Sequence, residues 1–582
     1  MCEGDEMNFI KYVLVVLLLQ SLTLEAKESI QIHYNLENPF RFFKDPKIYW
    51  EMKKIYDNLN VHNISEEKSN KGFALERALQ TKMSIKYKGW AEHFASNWNQ
   101  TTYWNQYKMM YQKNYINPKS YNIEVYLSGV SKEDKCKWSF NGTSISNVPC
   151  YKKTLLRIPA NQKIILKYKI EGKNVKGEKK IKIKDKLIVG LGDSYGSGEG
   201  NPDTPASFKE DRSNYDFWLV KGRYYPRKNA NNPAKWIDRR CHRSLYSYQF
   251  KAALQYSLEH PKEFVTFVSF SCSGATSEDI LTKYKSAVEH LKNITPTYDN
   301  SPSALEILEG EEDKSIDRRS HIRPQIKLLK DTIKNQKIDI LLLSIGGNDI
   351  GFAKYVGNVL LKTGLKKPTK KTEYKLRTTL SENYYRLDKA LRPMVKNKDA
   401  KRIFLSVYPE VLYDENANLC KGDRQSFDIP FGVVEKRKER LIATDKYLTK
   451  PLYQIQKELA HEIGWTLVDK HREKFKKHGF CAKNPNYPES FMIPHKLKKE
   501  DPWIPYSPVD TRYRAYREKQ RWIQIPVDSI LMINLTHNFL WFETDFWFSD
   551  EKSGIMHPSA DGLAVEADAN YQAIQKFLES KK

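Results

Sequence analysis

Residues Lys186 to Asp203 read KLIVGLGDSYGSGEGNPD, an apolar run followed at once by a glycine-rich turn that carries Asp193 and Ser194. The run has strand length and no polar alternation, which is the pattern of a strand buried on both faces of a parallel sheet. Three further stretches share it: EFVTFVSFSCSG at 263–274, IDILLLSIGGND at 338–349 and KRIFLSVYPE at 401–410. Helical periods lie between and after them. PQIKLLKDTIKNQK is one, and the chain closes on GLAVEADANYQAIQKFLESKK, where Leu563, Ala567, Tyr571, Ile574 and Leu578 share one face. Residues 186–582 are therefore expected to form a three-layer α/β domain, with reactive groups at the carboxyl ends of its strands.

Working outward, residues 119–185 contain YNIEVYLSGV, CKWSFNGT, TLLRIPA, KIILKYKI and KIKIKDK, short alternating runs parted by Gly, Asn and Lys turns. They predict a small β-sandwich-like module. Residues 27–118, rich in Trp, Tyr and Lys, predict a helical region through YWEMKKIYDNL and FALERALQTKMSIKYKGWAEHFASNW. Residues 1–26 read as a signal peptide, with Lys11, the apolar run Val13 to Leu19 and Ala26 at the cut, and this run falls short of the roughly 20 residues of a spanning helix. The expected location is outside the cell or in the periplasm. Residues 482–550 form an aromatic-rich insertion containing Trp503, Tyr506, Tyr513, Tyr516, Trp522, Trp541 and Trp547, either the core of that insertion or the lining of a substrate groove.

Leaving out Cys2, six cysteines remain, an even number that suits an oxidising compartment. Of the fifteen possible connectivities, sequential pairing as Cys136–Cys150, Cys241–Cys272 and Cys420–Cys481 keeps each bridge within one region; free buried thiols are the alternative. No metal-ligand spacing occurs. With 97 Lys and Arg against 71 Asp and Glu, the chain carries a formal charge of +26. A basic face is expected to favour anionic polysaccharide or a membrane surface, whereas no nucleic-acid signature is present. Asn63, Asn99, Asn141, Asn293 and Asn534 are glycosylation sequons.

Four blocks carry chemistry. GDSYGSGEGNPD places the Ser194 hydroxyl and N–H in a strand-to-helix turn, and SFSCSGATSEDI places Gly274 after a strand, where main chain approaches a ligand closely. SIGGNDIGF offers the Asn348 amide as a donor to an oxyanion, and IMHPSADG offers His557 as a base. In this order, at strand ends, the blocks resemble the SGNH, or GDSL, hydrolase family. That resemblance implies a flavodoxin-like α/β/α domain and a carboxylic ester hydrolase without cofactor or metal. It makes Ser194 the nucleophile and His557 the base, with the N–H groups of Ser194 and Gly274 and the Asn348 side chain as the oxyanion hole. WIDRRCHRSLYSYQF likewise resembles secreted members in which Cys241 bridges to Cys272.

One position departs from the family. Where members usually carry an acid three residues before the histidine, this chain has Gly554. The expectation is a Ser–His dyad in which the Gly554 carbonyl orients the imidazole, with Asp550 and Asp545 as alternative acids. The expected substrate is a lipid, phospholipid or acetylated-glycan ester. The rival reading is a catalytically inactive SGNH-fold protein that binds anionic glycan or a cell surface. Oligomeric state is not readable from the sequence.

Overall fold

The computed structural model describes residues 29–59, 70–84, 89–95, 97–106, 108–160, 162–205, 217–220, 223–226, 234–288, 321–352, 355, 368–422, 437–483, 492–494, 503–505, 515–525, 528–529, 532 and 554–581. The signal segment, the alternatives Asp545 and Asp550, the sequons Asn63, Asn293 and Asn534, and most of the 482–550 insertion lie outside the described residues. Two compact units result: Met1–Pro39, Pro118–Lys184 and Pro261–Phe264 form one, and Phe40–Asn117, Asp185–His260 and Val265–Lys582 form the other.

The first unit is built from seven strands, β1 (Gln31–Leu36), β2 (Ser120–Ser128), β3 (Lys135–Phe140), β4 (Thr143–Pro149), β5 (Thr154–Pro159), β6 (Lys163–Ile170) and β7 (Val175–Lys182). They form two antiparallel sheets, ordered β1-β2-β5 and β4-β3-β6-β7. Alternation dictates both: KIILKYKI buries every second residue, and Ile123, Val125 and Ile158 of one sheet share a core with Trp138, Ile164 and Leu166 of the other. The Cys136–Cys150 disulfide joins β3 to the end of the β3–β4 hairpin. Strand β1 falls inside the stretch expected to be helical. Its pairing of Ile32 with Leu127 and Leu36 with Ile123 completes the apolar face of β2, a long-range contact that local helical periodicity cannot announce.

The second unit is α/β. Its five-stranded sheet runs β9-β8-β10-β11-β12, with β8 (Lys184–Gly192), β9 (Glu263–Ser269), β10 (Ile340–Ser344), β11 (Ile403–Ser406) and β12 (Thr466–Val468). The pairs β8/β10, β10/β11 and β11/β12 are parallel. Every residue of β10 and β11 is buried, as a strand covered on both faces requires. The larger helices are α1 (Pro46–Asp57), α2 (Lys71–Lys82), α3 (Tyr248–Glu259), α4 (Gln325–Ile333), α5 (Lys370–Leu391), α6 (Lys450–Ile463) and α7 (Ala560–Glu579). Helices α2, α3 and α7 pack with one another, α1 packs on α2 and α3, and α5 packs on α6.

Residues 40–117 build into this unit. Phe42 meets Phe250 at 5.0 Å and Trp90 meets Tyr246 at 5.0 Å between ring centroids, while buried Lys251 of α3 pairs with buried Glu76 of α2 at 2.9 Å. Of the insertion's aromatics, Tyr516 and Trp522 are buried. The remaining disulfides are Cys241–Cys272 and Cys420–Cys481, both in this unit.

Candidate functional site

Strand β8 ends on Gly192 at φ 136°, and a Cβ there would stand 2.2 Å from the Ser344 carbonyl oxygen, so only glycine lets the chain turn this close to β10. The next residue, Asp193, caps the short helix Ser194–Ser197, its carboxylate accepting the Tyr195 N–H at 3.1 Å. Asp193 also accepts from the Ser344 hydroxyl at 3.1 Å and from the Tyr408 hydroxyl. Burial pushes its carboxyl up to about 7, against the pull of these three donors. Ser194 thus leaves a rigid turn at the carboxyl end of the sheet.

His557 approaches from the opposite end of the chain, just before α7. Its Nε2 lies 2.7 Å from Ser194 Oγ, and its Nδ1 lies 3.1 Å from the Ile555 carbonyl oxygen. A carbonyl only accepts, so Nδ1 carries the proton, and Nε2 accepts from the serine hydroxyl. The carbonyl in reach of Nδ1 is that of Ile555 rather than the Gly554 carbonyl expected from the sequence. The Gly554 oxygen is already engaged in the turn, accepting the His557 backbone N–H at 3.1 Å. A side chain at 554 has no room either: a Cβ would meet Gly200 Cα at 2.8 Å and Ser529 Oγ at 2.9 Å. The absent acid has a steric cause.

The histidine loop is held from several sides. Met556 sits at φ 66°, a left-handed conformation unfavourable for a side chain this long, and its neighbours over-determine it. Its N–H donates to the Gln524 carbonyl at 3.0 Å, and its carbonyl accepts the Tyr195 hydroxyl at 2.9 Å. The Gln524 amide donates to the Gly200 carbonyl at 2.7 Å, and Asn201 Nδ2 donates to the Pro558 carbonyl at 2.9 Å. The segment following Ser194 is thereby stitched to the one containing His557.

Gly274 and Asn348 lie in the loops after β9 and β10. Gly274 has φ 76°, two residues beyond Cys272, whose N–H donates to the Gly192 carbonyl at 3.0 Å. Asn348 Nδ2 donates to the Ala275 carbonyl at 2.9 Å, and Asp349 accepts the Ser277 N–H at 3.0 Å, so these two loops are joined. The Gly347 N–H donates to the Tyr408 hydroxyl at 2.7 Å. Tyr408, at the end of β11, therefore connects the Asn348 loop to Asp193 of the serine turn.

Sequence reasoning passed over Tyr408, Tyr195 and a buried pair beneath the serine. Glu199 Oε2 and His242 Nδ1 are 2.9 Å apart with both side chains fully buried, and Trp236 stacks on His242 at 4.3 Å. Burial pushes the Glu199 carboxyl up, but His242 first and His557 after it outweigh burial and hold it down at about 2. A glutamate inside the glycine-rich SGEGN and a histidine inside CHRS were visible as residues. Nothing local linked positions 43 apart in the chain. Among the described residues, no group of three or more His, Cys, Asp or Glu is placed to hold a metal ion.

No protein-family model matches the sequence, and no curated protein matches it. Among solved structures, it is similar to a family two carbohydrate esterase from Clostridium thermocellum in complex with cellohexaose, at 11% identity and TM-score 0.19 over 60% of this chain and 82% of that one. It is also similar to a carbohydrate acetylesterase from Xanthomonas citri, at 9% identity and TM-score 0.20 over 60% of this chain and 64% of that one. Likenesses of this size settle neither family nor substrate.

Proposed function

We propose that the chain is a secreted serine ester hydrolase with an SGNH-type, three-layer α/β/α catalytic domain. The observation that carries this reading is the Ser194 Oγ to His557 Nε2 approach of 2.7 Å, with Nδ1 committed to a main-chain carbonyl. Ser194 Oγ attacks the ester carbonyl carbon while its proton passes to Nε2. The tetrahedral oxyanion is met by the N–H groups of Ser194 and Gly274 and by the Asn348 amide, which has a second N–H beyond the one given to Ala275. His557 then protonates the leaving alcohol, and water, deprotonated by the same nitrogen, releases the acid and restores the serine hydroxyl.

The Ile555 carbonyl fixes the tautomer as a triad acid would, but it brings no full charge to stabilise the imidazolium. This reading keeps the dyad and drops Gly554 as the orienting residue. Three disulfides suit an oxidising compartment and support secretion. The substrate is a carboxylic ester of lipid, phospholipid or acetylated glycan, and p-nitrophenyl esters of increasing acyl length separate these. Labelling by a fluorophosphonate probe tests the chemistry: adduct on Ser194 that is lost in Ser194→Ala is expected. An unlabelled wild-type chain of native fold would leave the inactive binding protein as the better reading.

A further inference from the structure

We propose that the outer face of the four-stranded sheet is a binding surface for an extended acidic polysaccharide, a chain carrying carboxylate groups along its length. The lysines were spread through the sequence by strand alternation; pairing brings them together. Lys137 of β3 stands beside Lys169 of β6, which stands beside Lys176 of β7, a row of three ammonium groups across three strands. Farther along, Lys163 stands beside Lys182, and Lys180 beside Ile165. All of these side chains are exposed. Glu178 is the one acid on the outward positions of these three strands, 3.7 Å from Lys167.

Like charges directly opposite one another destabilise a sheet, so a face that is merely solvated mixes its signs. This unit does mix them elsewhere, where Lys153 pairs with Glu124 at 2.7 Å and Lys173 with Asp134 at 2.5 Å. On the outer face Glu178 offsets Lys167 alone, and an anionic ligand relieves the repulsion along the Lys137, Lys169 and Lys176 row. The lattice is rigid, because the reverse side of the same strands buries Trp138, Ile164, Leu166 and Ile170 in the core. Strand geometry spaces the lysine Cα atoms about 4.8 Å across strands and about 6.8 Å along them.

The chemistry favours a carboxylated glycan over other polyanions. No aromatic ring lies on the outward positions to stack a base, and Ile165, 41% exposed, is the only apolar side chain there, too little to anchor in a bilayer.

The test uses the full chain and fluorescein-labelled polygalacturonate, read by anisotropy at low salt and at 0.5 M salt. The triple variant K137Q/K169Q/K176Q is compared with K370Q/K371Q/K375Q, which removes equal charge from exposed positions on α5. The first should bind about tenfold to a hundredfold more weakly, and the second within about twofold of wild type. Salt should abolish binding, and ester hydrolysis should be unchanged in both, which separates this inference from the catalytic reading. Equal weakening of both variants would reduce the effect to net charge and overturn the proposal, as would absence of binding by the wild type. Stronger binding to phosphatidylserine vesicles or to single-stranded DNA than to polygalacturonate would overturn the choice of ligand. Unfolding melts confirm that each variant is folded, and a misfolded triple variant is replaced by K163Q/K180Q/K182Q, held to the same criteria.

Discussion

Around Ser194 the polar groups are buried or half-buried and held by named partners, whereas on the outer face of β3, β6 and β7 they are exposed and most stand beside their own kind. Asp193 serves three donors at once, and Glu199 pairs with the buried imidazole of His242. Lys137, Lys169 and Lys176 are exposed and stand opposite one another in register across three strands. Charges act strongly and locally where water is excluded, and weakly and collectively where it is not. A region of the first kind fails when one atom is removed; one of the second kind fails only by degrees. The contrast is open to measurement at both ends.

The largest effect should come from the serine. Ser194→Ala removes one hydroxyl from a turn held by other groups, and turnover should fall about 10³-fold or more while the thermal midpoint stays within a few degrees of wild type. His557→Ala should cost about as much, and the double variant little beyond either single one, because the two side chains act as one unit. Substantial residual turnover in Ser194→Ala would place the chemistry elsewhere and break the comparison at its strong end.

Tyr408→Phe is the next step down. It leaves the ring but removes the hydroxyl shared between Asp193 and the Gly347 N–H, leaving buried groups with one partner fewer. A loss of about 1–3 kcal/mol, read as a fall of about tenfold to a hundredfold in kcat at nearly constant KM, is expected if the bridge positions the Asn348 loop. A lowered melting point with unchanged kcat would make Tyr408 structural only. Gly554→Asp should not create a triad: with Gly200 Cα 2.8 Å from the new Cβ, overpacking of about 1–3 kcal/mol should lower stability and activity together. Improved turnover in this variant would overturn the steric account. Asp545→Asn and Asp550→Asn should each change turnover little.

These residues also mark what the sequence disclosed. Local signals carried far: the unbroken apolar runs before Ser194, Gly274 and Asn348 do become neighbouring strands, so motifs at their ends share one edge of the sheet. The strict alternation of KIILKYKI likewise determined which residues of β6 face the core. What stayed hidden depends on partners distant in sequence. Strand β1 is defined by its pairing with β2, the Ile555 carbonyl by which oxygen the turn leaves to the imidazole, and Tyr408 by two loops that meet only in the fold. Residues 40–117 looked separable because their helices are amphipathic, yet the apolar faces of α1 and α2 are covered by the same unit that holds the sheet.

The smallest effect is a pH dependence of stability that belongs to the buried region alone. Burial raises Asp193 to about 7 and Glu566, which also accepts from the Ser406 hydroxyl, to about 8. In the unfolded chain both lose their protons near pH 4, so between about pH 4 and 8 the folded state binds more protons than the unfolded one. Stability must then fall as pH rises through that window. Groups shifted the other way oppose this at its acid end, Glu199 and His471 most strongly among those in the core. Glu199, held at about 2, gives stability that is lost below about pH 4.5, and His471, pushed by burial down to about 4, gives stability that grows from about pH 4 to 6.5. Above pH 6.5 the raised acids act alone, and the melting point should drop by a few degrees between pH 6.5 and 8. Glu566→Gln keeps the shape and removes the titration, so its melting point should change less over that interval. The lysine variant K137Q/K169Q/K176Q should retain the wild-type slope. If Glu566→Gln retains it too, while the lysine variant flattens it, the titrating charge resides on the exposed face, and the division between the two regions is drawn in the wrong place.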